Sequence, residues 1–241
     1  MLSLEPTRPA DSTAPAGGPE RRVYAAIHAA ILDRRLTPGT KLGEVALAEL
    51  FGVSRSTVRN VLARLGHARL VELRPNRGAR VASPSAEESR QIFAARRAIE
   101  GAVAGMAAAA ASKKDVSGLR ELVAREAAAY ARGDERAGLR LSIDFHRRLA
   151  ALARNDVLTR FLDELVSRTP LIVLTHRGHA PSNCGVEDHL ALIEAVAGHS
   201  EKRAAELMRR HIDHLERELN LHPPPPPKTL AEVLGLPGTA R

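Results

Sequence analysis

Two arginines, Arg55 and Arg59, stand one helical turn apart in the stretch GVSRSTVRNVLARL (52–65), with the small hydroxyls of Ser54 and Thr57 beside them. The start of a helix carries partial positive charge and favours acids, so arginine there works against the helix. The chemistry such a pair can do lies outside the chain. A guanidinium reaches O6 and N7 of guanine with two parallel hydrogen bonds, and Ser or Thr hydroxyls reach phosphate or a base edge. A helix offering these groups from its first turns has the arrangement with which a recognition helix enters the major groove of duplex DNA. The competing reading is a pair of solvated surface arginines.

The placement of charge favours the first reading. The 241-residue chain has a formal net charge of +8, and the stretch 20–85 holds twelve Arg or Lys against five acids. A basic surface for a polyanionic partner therefore belongs to the N-terminal quarter. Aromatic residues make up only 2% of the chain, with no Trp, so the core must be Leu, Ala, Val and Ile, and base-stacking platforms for single strands are disfavoured. The single cysteine, Cys184, excludes an internal disulfide framework and suits a reducing compartment, expected to be the cytoplasm. No run of about eighteen apolar residues predicts a transmembrane helix, and the N-terminus lacks the apolar stretch of a secretory signal.

The elements that must position the arginines follow from periodicity. Val23, Ile27, Ile31 and Leu32 form a helical stripe, broken by a turn at Pro38-Gly39. Val45, Leu47, Ala48 and Leu50 lie on a short helix stopped by Gly52, and Ser54 is the expected N-cap of a second helix with Val58, Val61, Leu62 and Leu65 inward. After Gly66, alternating Val71 and Leu73, a turn at 75–78 and Val81 predict a hairpin whose tip region carries Arg74, Arg77 and Arg80. A helix-turn-helix followed by a basic hairpin is a winged helix. From Ser85, expected to form a capping box with Glu88, the chain reads as an all-α bundle. Its later segments fall at about 115–132, 134–153, 155–177, 186–198 and 200–221. The resulting division is a disordered tail at 1–19, a winged helix-turn-helix at 20–83 with the helix-turn-helix at 44–63, an all-α effector-binding and dimerisation domain at 86–221, and a Pro-rich tail at 222–241.

The stretch PGTKLGEVALAELFGVSRSTVRNVLARLGHARLVELRPNRGARVASP resembles the winged helix of the GntR family of bacterial transcription regulators. RRAIE, FHRRLAALARN, EDHLALIEAVAG and AAELMRRHI resemble the FCD effector domain of its FadR subfamily, in the same order and at the usual spacings. The resemblance implies a regulator, a repressor in this reading, that binds a pseudo-palindromic operator as a homodimer and answers to a small organic acid. The family's recognition-helix arginines match Arg55 and Arg59 and its wing glycine matches Gly78; with the hydroxyls of Ser54 and Thr57 and the hairpin arginines Arg77 and Arg80, these are the expected DNA contacts. One departure is visible: many members carry an arginine where this chain has Val45.

Many FCD domains hold a divalent metal such as Zn, Ni or Mn through an Asp and a His four apart on one helix, plus two later histidines. The resemblance maps the histidines to His146, His189 and His211, but the Asp position is Ser142. Asp144 cannot simply substitute, because two residues turn about 200° round a helix. The shell then lacks an anionic ligand and binds metal more weakly. His176, His179, His199 and His214 match no ligand position and read as solvent-facing, and Cys184 as an ordinary loop thiol. Arg96 matches an arginine lining the effector cavity of similar proteins, where with Ser142 it would meet a carboxylate. Its alternative is an intrahelical pair with Glu100, four residues on.

Two other function classes compete. A metal-dependent hydrolase built on the three histidines lacks a clearly placed general base and leaves the basic winged unit unexplained. A structural nucleoid protein leaves the cavity domain unexplained. The expected function is therefore regulation rather than catalysis.

Overall fold

A computed structural model describes residues 18–74, 78–176 and 184–221. The chain enters α1 (Pro19–Leu32) through Pro19, whose missing N–H costs nothing in a first helical turn. Val23, Ile27, Ile31 and Leu32 are buried along one face, as their spacing predicts. A two-residue strand, β1 (Lys41–Leu42), precedes α2 (Glu44–Phe51). Gly52 closes α2 in the left-handed conformation, φ +63°, which glycine adopts without a Cβ penalty. The Ser54 hydroxyl then accepts the Thr57 N–H at 3.1 Å and starts α3 (Arg55–His67).

Strands β2 (Val71–Arg74) and β3 (Gly78–Val81) pair antiparallel, with Val71 opposite Val81 and Arg74 opposite Gly78. β1 joins the other edge of β3, Lys41 opposite Arg80, so the sheet order is β1-β3-β2. Sequence reading took 36–42 for a turn alone, since two residues are too few to display alternation. Val58, Val61, Leu62, Leu65 and Leu70 pack against α1 and the sheet as one core.

The remainder is helical: α4 (Ala86–Ala110), α5 (Lys113–Ala131), α6 (Glu135–Leu152), α7 (Asp156–Ser167), α8 (Thr169–His176), α9 (Cys184–Ala197) and α10 (Glu201–Arg217). The single helix expected over 155–177 is two. Pro170 has no N–H to give a continuing ladder, and it is tolerated here because it falls in the first turn of α8. Ser85 caps α4 through the Glu88 N–H, but the expected reciprocal box is absent, because the Glu88 carboxylate pairs with Arg168 instead. A full box forms at Ser112 and Asp115. α4 and α10 approach closely: a Cβ on Gly105 would lie 3.4 Å from the Glu201 carbonyl oxygen. This contact sets the helix carrying Arg96 and Glu100 against the helix carrying His211.

α8 joins the two units. Leu171 is fully buried in the core of the winged unit, whereas Ile172 and Val173, its next neighbours, belong to the bundle core. His176 is half-buried and Nε2 donates to the Pro84 carbonyl at 2.8 Å, so it is not the solvent-facing residue expected.

Candidate functional site

Two groups of side chains invite a role. The first is the basic face of the winged unit. Arg55 and Arg59 project from the first turns of α3, each with about three-fifths of its side chain exposed. Both turn toward one acid on α2: Glu44 Oε2 accepts from Arg59 Nε at 2.7 Å and lies 3.8 Å from Arg55 Nη2. Sequence reading passed over Glu44, although an acid on the preceding helix is the natural partner of two arginines whose own helix offers none. The Ser54 hydroxyl serves the cap and lies 2.9 Å from Thr57 Oγ1. Gly78, at φ +76°, opens β3, and Arg80 is half-buried between Lys41 and Glu72 on the neighbouring strands. Arg77 lies outside the described residues. Val45, beside Glu44, is half exposed.

The second group lies inside the bundle. His146 on α6, His189 on α9 and His211 on α10 come together, with at most 2% of each residue exposed. The Nε2 atoms of His189 and His211 are 3.2 Å apart, and those of His211 and His146 are 3.4 Å apart. Each Nδ1 meets a carboxylate: Glu100 at His146, Glu126 at 2.8 Å from His189, and Asp188 at 3.1 Å from His211. An imidazole whose Nδ1–H donates to a carboxylate has a bare lone pair on Nε2. Three such lone pairs therefore face one another.

The electrostatics agree. Burial pushes His189 well below the ordinary histidine range, and the neighbouring His146 adds to it. Burial brings His211 down to about 3, against the opposing hydrogen bond with Asp188. Both rings are neutral at pH 7. Burial pushes Glu126 up to about 7, opposed by His146, His211 and the Ser142 hydroxyl. Burial acts upward on Glu100 as well, but Arg96 and His146 overcome it and hold the carboxylate at about 2.

This arrangement fits a divalent cation. Two nitrogens about 2.05 Å from a tetrahedral centre are about 3.3 Å apart, the spacing these Nε2 pairs have. Neutral imidazoles backed by carboxylates are the donor set of zinc and nickel rather than of magnesium or calcium.

A cavity of about 50 Å³ reaches the cluster at His146, walled by Arg96, Glu126, Ser142, His146 and Thr169 on its polar side and by Phe93 and Val173 on its apolar side. Both alternatives for Arg96 meet here. It reaches the cavity, and it is paired within its helix: Nε donates to Glu100 at 2.6 Å, and Nη1 to the Thr169 hydroxyl at 3.2 Å. His199 Nδ1 meets the Ala108 carbonyl at 2.8 Å, and His214 is an outer neighbour of Asp188 at 3.3 Å. His179 and the side chain of Cys184 lie outside the described residues.

Glu126 and Asp188 were missed as functional residues. Glu126 left a readable signal: Val116, Leu119, Val123 and Glu126 share the buried face of α5, and a carboxylate on such a face calls for a partner.

Residues 19–81 match the family described as bacterial regulatory proteins, gntR family, and residues 91–214 match the FCD domain. The HTH-type transcriptional repressor RspR of Escherichia coli (strain K12) is 24% identical over 217 residues, covering 90% of this chain and 91% of its own. The HTH-type transcriptional regulator LutR of Bacillus subtilis (strain 168) is 27% identical over 213 residues, 79% of this chain and 96% of its own. Among solved structures, a GntR transcriptional regulator from Rhodococcus sp. RHA1 superposes with a TM-score of 0.72 at 25% identity, covering 83% of this chain and 96% of its own. McbR/YncC of E. coli has the same fold, with a TM-score of 0.72 at 20% identity over 84% of this chain and 99% of its own.

Proposed function

Because the chain belongs to the gntR family of bacterial regulatory proteins and carries an FCD domain, it is a DNA-binding transcription regulator and not an enzyme, and we propose that it is a metal-assisted repressor that answers to a small organic acid. Arg55 and Arg59, with Ser54 and Thr57 behind them, read base edges, while Arg77, Gly78 and Arg80 bring the wing to the phosphates. One recognition helix reads too few base pairs for useful selectivity, so the protein acts as a homodimer on a pseudo-palindrome. Its DNA partner puts its work in the cytoplasm. Its relative RspR is a transcriptional repressor, which supports repression as the mode of control.

The observation that carries the effector reading is the convergence of three Nε2 lone pairs beside a cavity that His146 lines. His146, His189 and His211 would hold zinc, nickel or manganese, which supplies an open coordination position for an anionic oxygen. Ser142, four residues before His146, is in the cavity wall and leaves room there. Because Arg96 is already paired with Glu100, an anion entering the cavity would meet most of its counter-charge at a cation held by the three neutral histidines. At about 50 Å³ the cavity holds a compact acid of a few heavy atoms.

The test is a thermal-shift and calorimetric series on the full chain. Zinc, nickel and manganese are titrated with and without chelator, then short carboxylates are added to the metal-loaded protein. Each ligand is expected to tighten the other, because both bind the folded bundle. Absence of metal binding in the wild type would remove the metal from this reading.

A further inference from the structure

The carboxylates around the histidines are not equivalent. Glu100 has a buried guanidinium for a partner, Arg96 Nε at 2.6 Å. Asp188 is a third exposed to solvent and shared by His211 and His214. Glu126 is fully buried, and among the described residues no lysine or arginine pairs with it. Its hydrogen-bond partner is a neutral imidazole, through His189 Nδ1 at Oε2, while its buried Oε1 is unpartnered and shares the cavity wall with Ser142 of α6. An uncompensated buried carboxylate is a costly feature unless a cation completes it.

We infer that Glu126 is the charge-setting residue of this centre: from α5, and through the His189 ring, it supplies the negative charge that a dication at the three Nε2 atoms requires. The inference rests on the reading of the histidines as a divalent-cation site. It assigns the residues distinct tasks. His146, His189 and His211 provide neutral lone pairs, Glu100 fixes the His146 ring while carrying its own counter-ion, and Glu126 is anionic toward the cation alone. Ser142, in the same cavity wall, does not compete with Glu126 for charge, as a second carboxylate at that position would. Folding without metal leaves Glu126 uncompensated; metal binding completes it. Zinc affinity and metal-free stability therefore respond to Glu126 with opposite sign. A residue that merely packs against His189 would not behave so.

The experiment is zinc calorimetry together with thermal unfolding in chelator, on the full chain and its E126Q, E100Q and H211A variants. E126Q keeps the shape and an acceptor for His189 Nδ1–H. It is expected to lose about 10- to 100-fold in zinc affinity, while its metal-free form melts at or above the wild-type temperature. E100Q strands Arg96 and is expected to melt below wild type in chelator. If E126Q binds zinc as tightly as wild type, or if its metal-free form melts below wild type, the inference is overturned. If wild type and H211A alike bind no zinc, the cation reading itself fails and this assignment with it.

Discussion

Arg96 Nη1 donates to the Thr169 hydroxyl at 3.2 Å, and through that contact the histidine cluster touches the helix whose Leu171 is buried in the winged core. The path is short: His146 to Glu100, Glu100 to Arg96, Arg96 to Thr169, all buried. A ligand that shifts Arg96 acts on Thr169, two residues before the Leu171 buried in the DNA-binding unit's core, and a difference in that contact between two states would supply a coupling free energy. Thr169→Val removes the hydroxyl and keeps the volume. It is expected to leave zinc affinity within about twofold while shrinking the ligand-induced change in DNA affinity. Fluorescence anisotropy on a duplex selected by the protein reads the second quantity. An undiminished response would show that the signal crosses elsewhere, for example through Leu32 and its cluster with Val103 and Leu162. Leu171→Ala, by contrast, opens a core cavity and should cost about 2–5 kcal/mol of stability.

Acid sensitivity follows from the buried groups. Unfolded, His189 and His211 titrate near 6.5; folded, burial keeps both unprotonated, His211 down to about 3. Below pH 6.5 the unfolded chain therefore takes up two protons that the folded chain refuses. Glu126 acts oppositely: burial raises it from 4.5 to about 7, so the folded chain holds one proton there that the unfolded chain lacks. Between pH 4.5 and 6.5 the balance over these three groups is one extra proton on the unfolded state, and from them stability is expected to fall on acidification by roughly 1.4 kcal/mol per pH unit. The half-buried His28, also lowered by burial, adds in the same direction. Below 4.5 the slope steepens. There the unfolded chain also protonates Glu100, which Arg96 and His146 hold at about 2 against its burial. Denaturant melts in chelator across pH 4 to 7.5 measure this. A stability that rises on acidification would mean the histidines are charged in the fold.

On DNA, Arg55→Ala or Arg59→Ala is expected to weaken a selected site by about 1–3 kcal/mol while changing random-sequence binding much less. Arg80→Ala should weaken both evenly and flatten the salt dependence. Glu44→Gln loosens the carboxylate that holds both arginines, so it should blur discrimination between sites more than it lowers affinity. Titrations of each variant against both duplexes separate these outcomes. Helix variants that bind the selected site as wild type does would return Arg55 and Arg59 to the solvated surface.

Much of the architecture was legible because short-range periodicity carries it. The stripes of α1 and α3 and the caps at Gly52 and Ser54 follow from local spacing and turn chemistry. The histidines came from a family pattern, and their meeting depends on three helices crossing, which no local period encodes. β1 was lost because its meaning comes from the partner strand β3, not from its two residues. The break between α7 and α8 was written at Pro170, yet a first-turn proline is also compatible with a new helix start, and only packing of Leu171 into the other unit decides between them. Glu126 was overlooked because attention to matched positions hid the simpler physical oddity of a carboxylate on an apolar face.

Ser142→Asp puts these relationships under one test. The substitution sets a carboxylate four residues before His146, on the same face of α6 and beside Glu126. Without metal, a buried and a half-buried carboxylate then share one wall, and the metal-free protein should melt below wild type, because like charges in low dielectric repel and neither has a basic partner. With zinc the sign reverses: a hard anionic oxygen joins three neutral imidazoles and metal affinity should rise, by about tenfold or more. The same oxygen occupies the position an organic acid would take, so acid binding to the metal-loaded variant should weaken while its metal dependence disappears. Calorimetry of zinc and then of short carboxylates into wild type and Ser142→Asp, with chelator melts of each, gives all three quantities. Unchanged zinc affinity in the variant would show that residue 142 does not reach the centre; if wild type too binds no zinc, the triad is not a metal site, and the cavity would bind its ligand through Arg96 and ordinary hydrogen bonds.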